Sequence, residues 1–188
     1  MRFENWNELR LKEVIEFNPK ERVKKGALLK KVGMDNLNPY QRKIEGYEIS
    51  KYTSGTKFRN GDTLFARITP CLENGKTAQV SILAEGEIGF GSTEFIVLRE
   101  KQGYSLNDFI YYLAISPQIR EIAIKSMTGT SGRQRAQKDV FENTKIKIPP
   151  IEEQKAIAHI LSTLDEKIEL NNKINKTLED ITQAIFKH

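Results

Sequence analysis

From Ile151 onward, apolar side chains recur every three or four residues. Ile157, Leu161, Leu164 and Ile168 are followed in the same phase by Asn171 and Asn175, and the pattern re-forms as Ile174, Leu178, Ile181 and Ile185. This 4-3-4 spacing draws one apolar seam along a helix. Pro149 and Pro150 block helix upstream, and Glu152 and Glu153 fall in the first turn, where carboxylates complement the helix dipole. No Gly or Pro interrupts residues 151–188. At ~1.5 Å per residue the helix would span about 57 Å, more than one small domain can cover. A seam of that length calls for a partner helix. Its two asparagines favour a single register, because a slipped pairing would bury an amide without its mate.

Upstream the pattern changes to alternation and β-branched or aromatic runs. It predicts strands at 32–37, 62–68, 77–83, 94–98 and 144–148. Ser105 is placed to cap a helix from Leu106 to about Ile115, and Ser116-Pro117 starts another that ends near Gly129. The expectation is an α+β chain. Residues 1–148 form one globular domain with a twisted sheet and short helices, and residues 149–188 form the long helix.

Charge sharpens that division. Residues from Ile151 hold five lysines against seven acids, so the net charge of +5 resolves into −2 on the helix and +7 on the rest. A basic globular part facing phosphates and a helix facing protein would have this distribution. Two stretches carry most of the excess: Lys20, Arg22, Lys24, Lys25, Lys30 and Lys31 against one acid, then Lys125, Arg133, Arg135, Lys138, Lys145 and Lys147 against two. Cys71 is the only cysteine, which excludes an internal disulfide framework. The N-terminal MRFENWNELR lacks an apolar signal core and no stretch reaches membrane-spanning length, so a cytoplasmic protein with no membrane partner is expected.

The run IPPIEEQKAIAHILSTLDEKIELNNKINKTLEDITQAIF resembles the conserved helical region of the DNA-specificity subunits of type I restriction-modification enzymes. NGDTLFARITPCLENGKTAQV, GFGSTEFIVLR and TGTSGRQRA are similar to that family's target recognition domain, and they extend the resemblance over most of the chain. Family members usually carry two recognition domains and two such helices, so this chain looks like half a subunit. The resemblance implies double-stranded DNA as ligand, methyltransferase subunits docked on the helices, and an ATP-dependent restriction subunit in the larger assembly. S-adenosylmethionine, ATP and Mg2+ would belong to those partners, with no cofactor in this chain. The seam and this half-subunit reading together lead to a homodimer whose helices form an antiparallel coiled coil through Ile157, Leu161, Leu164, Ile168, Asn171, Asn175, Leu178, Ile181 and Ile185, each copy reading one half of a bipartite target. Pairing with a different half, and a coiled-coil regulator unrelated to methylation, stay open as alternatives. Glu153, Lys155, Glu166, Lys167 and Glu169 are candidates for methyltransferase contact, or simply solvated.

Candidate DNA contacts lie in three polar segments. In TGTSGRQRAQ, Arg133 and Arg135 can each pair with guanine N7 and O6, and Gln134 and Gln137 with adenine; Ser131, Thr130 and Lys138 suit phosphates. In the turn 67–77, Arg67, Thr69 and Lys76 are polar candidates. In the third segment, Ser92 and Thr93 can approach a groove or merely satisfy their turn. Lys24 and Lys31 complete the set.

Catalytic readings fail on their own terms. Gly75-Lys76-Thr77 lacks the earlier glycine of a P-loop, because Pro70 stands there. Asn38-Pro39-Tyr40 lacks the second proline of the adenine methyltransferase tetrapeptide, and Gly89-Phe90-Gly91 has no strand-turn-helix unit around it. Asp165, Glu166 and Lys167 flank the seam. His159 and His188 are too isolated for a metal site or a triad.

Overall fold

Along β9 (Phe95–Glu100) successive side chains point to opposite faces, and both faces are buried. Phe95 and Val97 enter one apolar cluster, with Val32, Leu37, Phe58, Leu64 and Val80. Ile96 and Leu98 enter the other, with Leu11, Phe65, Ile110, Tyr111, Ile119 and Phe141. The same split divides Leu64 from Phe65 on β6 (Thr63–Ala66). A sheet apolar on both faces must be a middle layer.

The computed structural model describes residues 5–186. The middle layer has the order β2-β9-β6-β7, all antiparallel, with β2 at Ile15–Phe17 and β7 at Thr77–Gln79. A second four-stranded sheet covers one face in the order β4-β3-β8-β5. Its strands are β3 (Leu28–Val32), β4 (Glu48–Lys51), β5 (Thr56–Phe58) and β8 (Gly89–Gly91), with β3 and β8 parallel. The other face is covered by α1 (Leu11–Val14), α2 (Asn107–Ile115), α3 (Pro117–Lys125) and α4 (Lys138–Asn143). A ribbon of β1 (Asn7–Arg10) and β10 (Lys145–Ile148) leads into α5 (Ile151–Phe186).

The mixed α+β fold is as expected, but several elements differ. The described residues form two four-stranded sheets and a ribbon rather than one twisted sheet. The strand expected at 32–37 is displaced to Leu28–Val32, and Met34–Asn36 form a 3-10 turn. Thr77–Gln79 is shorter than expected. Helix α3 stops at Lys125, four residues before Gly129, although Ser116 does cap it, its hydroxyl accepting from the Ile119 amide. Ser105 caps nothing. Its buried hydroxyl donates to the Val14 carbonyl and accepts from the Lys101 amide, tying α2's approach to α1. The short β1, β2, β4, β5 and β8 and the helices α1 and α4 carry too few residues for a period to stand out, and tertiary pairing decides them. In β8, a Cβ on Gly91 would lie 2.6 Å from the Val32 carbonyl oxygen, so the Gly89-Phe90-Gly91 glycines serve close sheet packing.

The long helix is only partly a free rod. Gln154 is fully buried; its side-chain amide donates to the carbonyls of Tyr104 and Pro149, both at 2.9 Å, and its carbonyl accepts from the Leu106 amide at 3.2 Å. Ala158 is buried, and Ile157 and Leu161 pack against the domain's own apolar cluster. The Tyr112 hydroxyl donates to Asp165 at 2.7 Å, and Lys43 pairs with Glu169. Thus Ile157 and Leu161, expected in an intermolecular seam, are used within the chain. From Leu170 to Phe186 every residue is exposed, a projection of about 25 Å. Residues 187–188, the end of the expected helix, lie outside the described residues. Ile160, Leu164, Ile168, Ile174, Leu178, Ile181 and Ile185 form an apolar stripe left about half-exposed or more.

Candidate nucleic-acid interface

Three polar segments that are distant in the chain are stitched together backbone to backbone. The Arg67 amide donates to the Glu94 carbonyl (3.0 Å), the Ala136 amide to the Arg67 carbonyl (2.8 Å), and the Thr69 amide to the Gln134 carbonyl (3.0 Å). The loops at 67–76, 92–94 and 128–137 therefore form one continuous surface. Each supplied DNA-contact candidates independently, and the fold brings them together.

Within that surface the candidates are not equivalent. The 128–137 loop is itself a tight hairpin, with Thr128 and Arg135 exchanging amide bonds at 3.1 and 2.9 Å. Thr130, Ser131 and Arg133 stand exposed at its tip. Among the described residues the Arg133 guanidinium has no protein partner, so its whole fork faces outward. Arg135 does not share that freedom. Its Nε and Nη2 bind the Glu94 carboxylate at 2.6–2.9 Å, and this hydrogen-bonded acid pushes the guanidinium pKa up. Arg135 holds the 128–137 loop to the 92–94 turn rather than offering a free fork to guanine. Gln137 is likewise spent inward, on the Thr128 hydroxyl and the Arg135 carbonyl. Gln134 is partly buried, and Lys138 pairs with Glu142 one turn along α4 at 2.5 Å.

In the 67–76 loop, Thr69 donates to Glu73 at 3.0 Å, and Arg67 is partly buried, its Nε lacking a partner among the described residues. Lys76 points inward, its ammonium donating to the Met34 carbonyl at 3.0 Å, which withdraws it from the shared surface. Ser92 satisfies its own turn: its hydroxyl accepts from the Glu94 amide at 3.1 Å and its carbonyl from the Thr56 hydroxyl. Thr93 is exposed beside it. From here the surface continues onto the second sheet through a shallow concavity lined by Lys31, Ser50, Lys51, Thr53, Ser54, Ser92 and Thr93. Lys31 pairs there with Glu48 at 2.5 Å, and the turn that exposes Lys24 is stitched to the Tyr52 carbonyl through Gly26. Sequence reasoning missed Lys51 and its hydroxyl-bearing neighbours. The Ser-Gly turn after them was the available signal.

The basic stretch 20–31 also has a purely structural member, its one acid. Glu21 is buried and accepts from Arg59 (2.6 and 2.7 Å) and Arg99 (2.8 Å), while Arg99 makes two further bonds of 2.7 Å to buried Asp62. Burial works against the Glu21 carboxylate, but the hydrogen bonds from Arg59 and Arg99 outweigh it and hold its pKa below the usual carboxylate range. Asp62 lies deeper, and there burial prevails and raises its pKa in spite of Arg99. This network ties the end of β5 and the start of β6 to β9. Two residues expected to face a docked subunit are also engaged within the chain: Glu153 accepts from the Trp6 indole at 3.0 Å, and Glu169 pairs with Lys43. Among the described residues no cluster of His, Cys, Asp and Glu is suited to a metal ion, and no helix is long and apolar enough to cross a membrane.

Residues 3–180 match the family described as the type I restriction modification DNA specificity domain. The chain is 32% identical over 161 residues to the type I restriction enzyme EcoAI specificity subunit of Escherichia coli, covering 82% of this chain and 27% of that one. It is 34% identical over 132 residues to the HindI specificity subunit of Haemophilus influenzae, covering 69% and 28%. The chain thus spans about a quarter of the length of these relatives. In fold it is similar to the HsdS subunit crystal structure from Thermoanaerobacter tengcongensis, with a TM-score of 0.73 at 24% identity over 97% of this chain and 47% of that one.

Proposed function

This chain belongs to the type I restriction modification DNA specificity family, and from that premise we propose that it reads one half of a bipartite DNA target while its long helix fixes where the second reader stands. The observation that carries this reading is the convergence of the 67–76, 92–94 and 128–137 loops on one surface, with Arg133, Thr130 and Ser131 presented at its tip. Phosphate contacts from Lys24, Lys31 and neighbouring lysines position the domain, and the loop tip reads base edges.

The exposed stripe of α5 supports pairing with a second copy. It runs from Ile160 to Phe186, and its midpoint falls between Asn171 and Asn175. In an antiparallel pair centred there, Asn171 of one copy lies opposite Asn175 of the other, and Ile168 opposite Leu178. Amide then meets amide at the centre with an apolar pair on either side of it, and a slip separates them. Two domains related by this two-fold axis would read an inverted repeat with a fixed gap. The chain itself performs no chemistry in this reading. Methyltransferase subunits using S-adenosylmethionine dock on the helices, and a restriction subunit using ATP and Mg2+ joins them, in the cytoplasm.

The deciding experiment is a genome-wide map of modified adenines in cells expressing this chain with its methyltransferase subunit, against cells lacking this chain. A new bipartite inverted-repeat motif is expected. An asymmetric motif would replace the second copy with a different half. No chain-dependent methylation, with both proteins soluble, would overturn the reading.

A further inference from the structure

We propose that Tyr40 is a specificity-determining contact, its ring touching one base pair of the target beside those reached by Arg133. This rests on the DNA-reading function proposed above. Tyr40 belongs to the Asn38-Pro39-Tyr40 turn, which no catalytic motif explains, and three observations set it apart.

The first is exposure combined with constraint. Tyr40 is 63% exposed, yet its backbone sits at φ 58°, a left-handed conformation that bulky residues avoid. Gly, Asn or Asp would hold that turn without strain. A strained aromatic persists where the surrounding structure determines it, and such positions gather at ligand-binding sites.

Second, the surroundings are shaped to the ring. The Tyr40 amide donates to the Gly75 carbonyl at 3.1 Å, and Pro39 bridges to Lys76. A Cβ on Gly75 would come within 2.8 Å of the ring, so the glycine is what admits the aromatic. The Arg120 guanidinium lies 4.8 Å from the ring centroid and is itself anchored by Nη2 to the Leu72 and Glu73 carbonyls at 3.2 and 2.9 Å. The ring is thus held by a cation–π contact to an arginine that has little freedom to leave.

Third is location. Leu72, Glu73 and Gly75, which position Tyr40 and Arg120, belong to the 67–76 loop, whose other arm is stitched through Thr69 to Gln134 of the reading hairpin. Tyr40 therefore shares a rigid loop with the DNA-facing surface. A pre-positioned ring loses little entropy on contact, and an aromatic face discriminates through the thymine methyl group or by wedging at a flexible step.

The test selects randomised duplexes with the full chain in complex with its methyltransferase partner. It compares wild type with Tyr40→Ala, Tyr40→Gly and Tyr40→Phe, where Gly relieves the φ strain and so separates loss of the ring from damage to the turn. The expected result is a wild-type motif in which one base-pair position loses about tenfold or more of its discrimination in both Ala and Gly variants, the other positions being kept. Tyr40→Phe should retain that preference. An unchanged motif in Ala and Gly, an even weakening at all positions, or a Phe variant as relaxed as Ala would overturn the assignment while leaving the DNA-reading function intact. A wild-type complex that enriches no motif would overturn that function, and this assignment with it.

Discussion

Arginines of similar appearance in the sequence have different tasks once their partners are known. Arg133 and Arg135 are two positions apart, yet only Arg133 presents an unengaged guanidinium; Arg135 is clamped on Glu94. Arg133→Ala should therefore cost about 1–3 kcal/mol of discrimination at one target position. Arg135→Ala should loosen the loop and weaken binding evenly across targets, as measured by competition among single-base-pair variants of the target. Arg135→Ala relaxing a single position would reverse these roles. Glu21 gives a pH prediction at the same scale. Its folded pKa lies below the ordinary 4.5, so its stabilisation is complete above that value and is lost as pH falls through the lowered one. Asp62 acts in the opposite sense, because its raised pKa makes the charged form costly. Glu21→Gln should lower stability at pH 7 by about 1–3 kcal/mol and flatten the further loss as pH falls below the ordinary 4.5. Thermal melts from pH 7 to below that value check both parts.

At the scale of elements, α5 has two functions divided along its length and around its circumference. Gln154, Ile157, Ala158 and Leu161 belong to the domain, whereas Leu164, Ile168, Ile174, Leu178, Ile181 and Ile185 face outward. Leu161→Ala should destabilise the domain by about 2 kcal/mol, while Leu164→Glu with Ile168→Glu should abolish association and leave the melting temperature of the domain unchanged. Light scattering after gel filtration, beside a thermal melt, separates the two effects. A pair that survives the double substitution would place the contact on another face of the helix.

For the whole molecule, the governing property is the separation of charge: +7 on residues 1–150 against −2 on the helix. DNA affinity should fall steeply with salt, and Lys24→Ala should weaken all duplexes alike and reduce the slope of log affinity against log salt by about one. A titration from about 50 to 200 mM salt measures this. An unchanged slope would mean that the exposed Lys24 contacts no phosphate.

By itself the sequence determined what is periodic or additive. The helix from Ile151 could be read because 3.6-residue periodicity persists over ten turns, and the charge division because charge is a sum. The α+β class followed from segment types, and the three candidate contact segments from their glycines and hydroxyls. Tertiary structure decided what depends on partners far away in the chain. That the segments at 67, 92 and 134 meet, that Arg135 is spent on Glu94 and Lys76 on a carbonyl, and that Ile157 and Leu161 face inward are all set by contacts spanning tens of residues. Short strands such as Gly89–Gly91 acquire their identity only from the strands beside them. A local pattern fixes which face of an element is apolar, whereas only the packed chain fixes what that face, or a single side chain, meets.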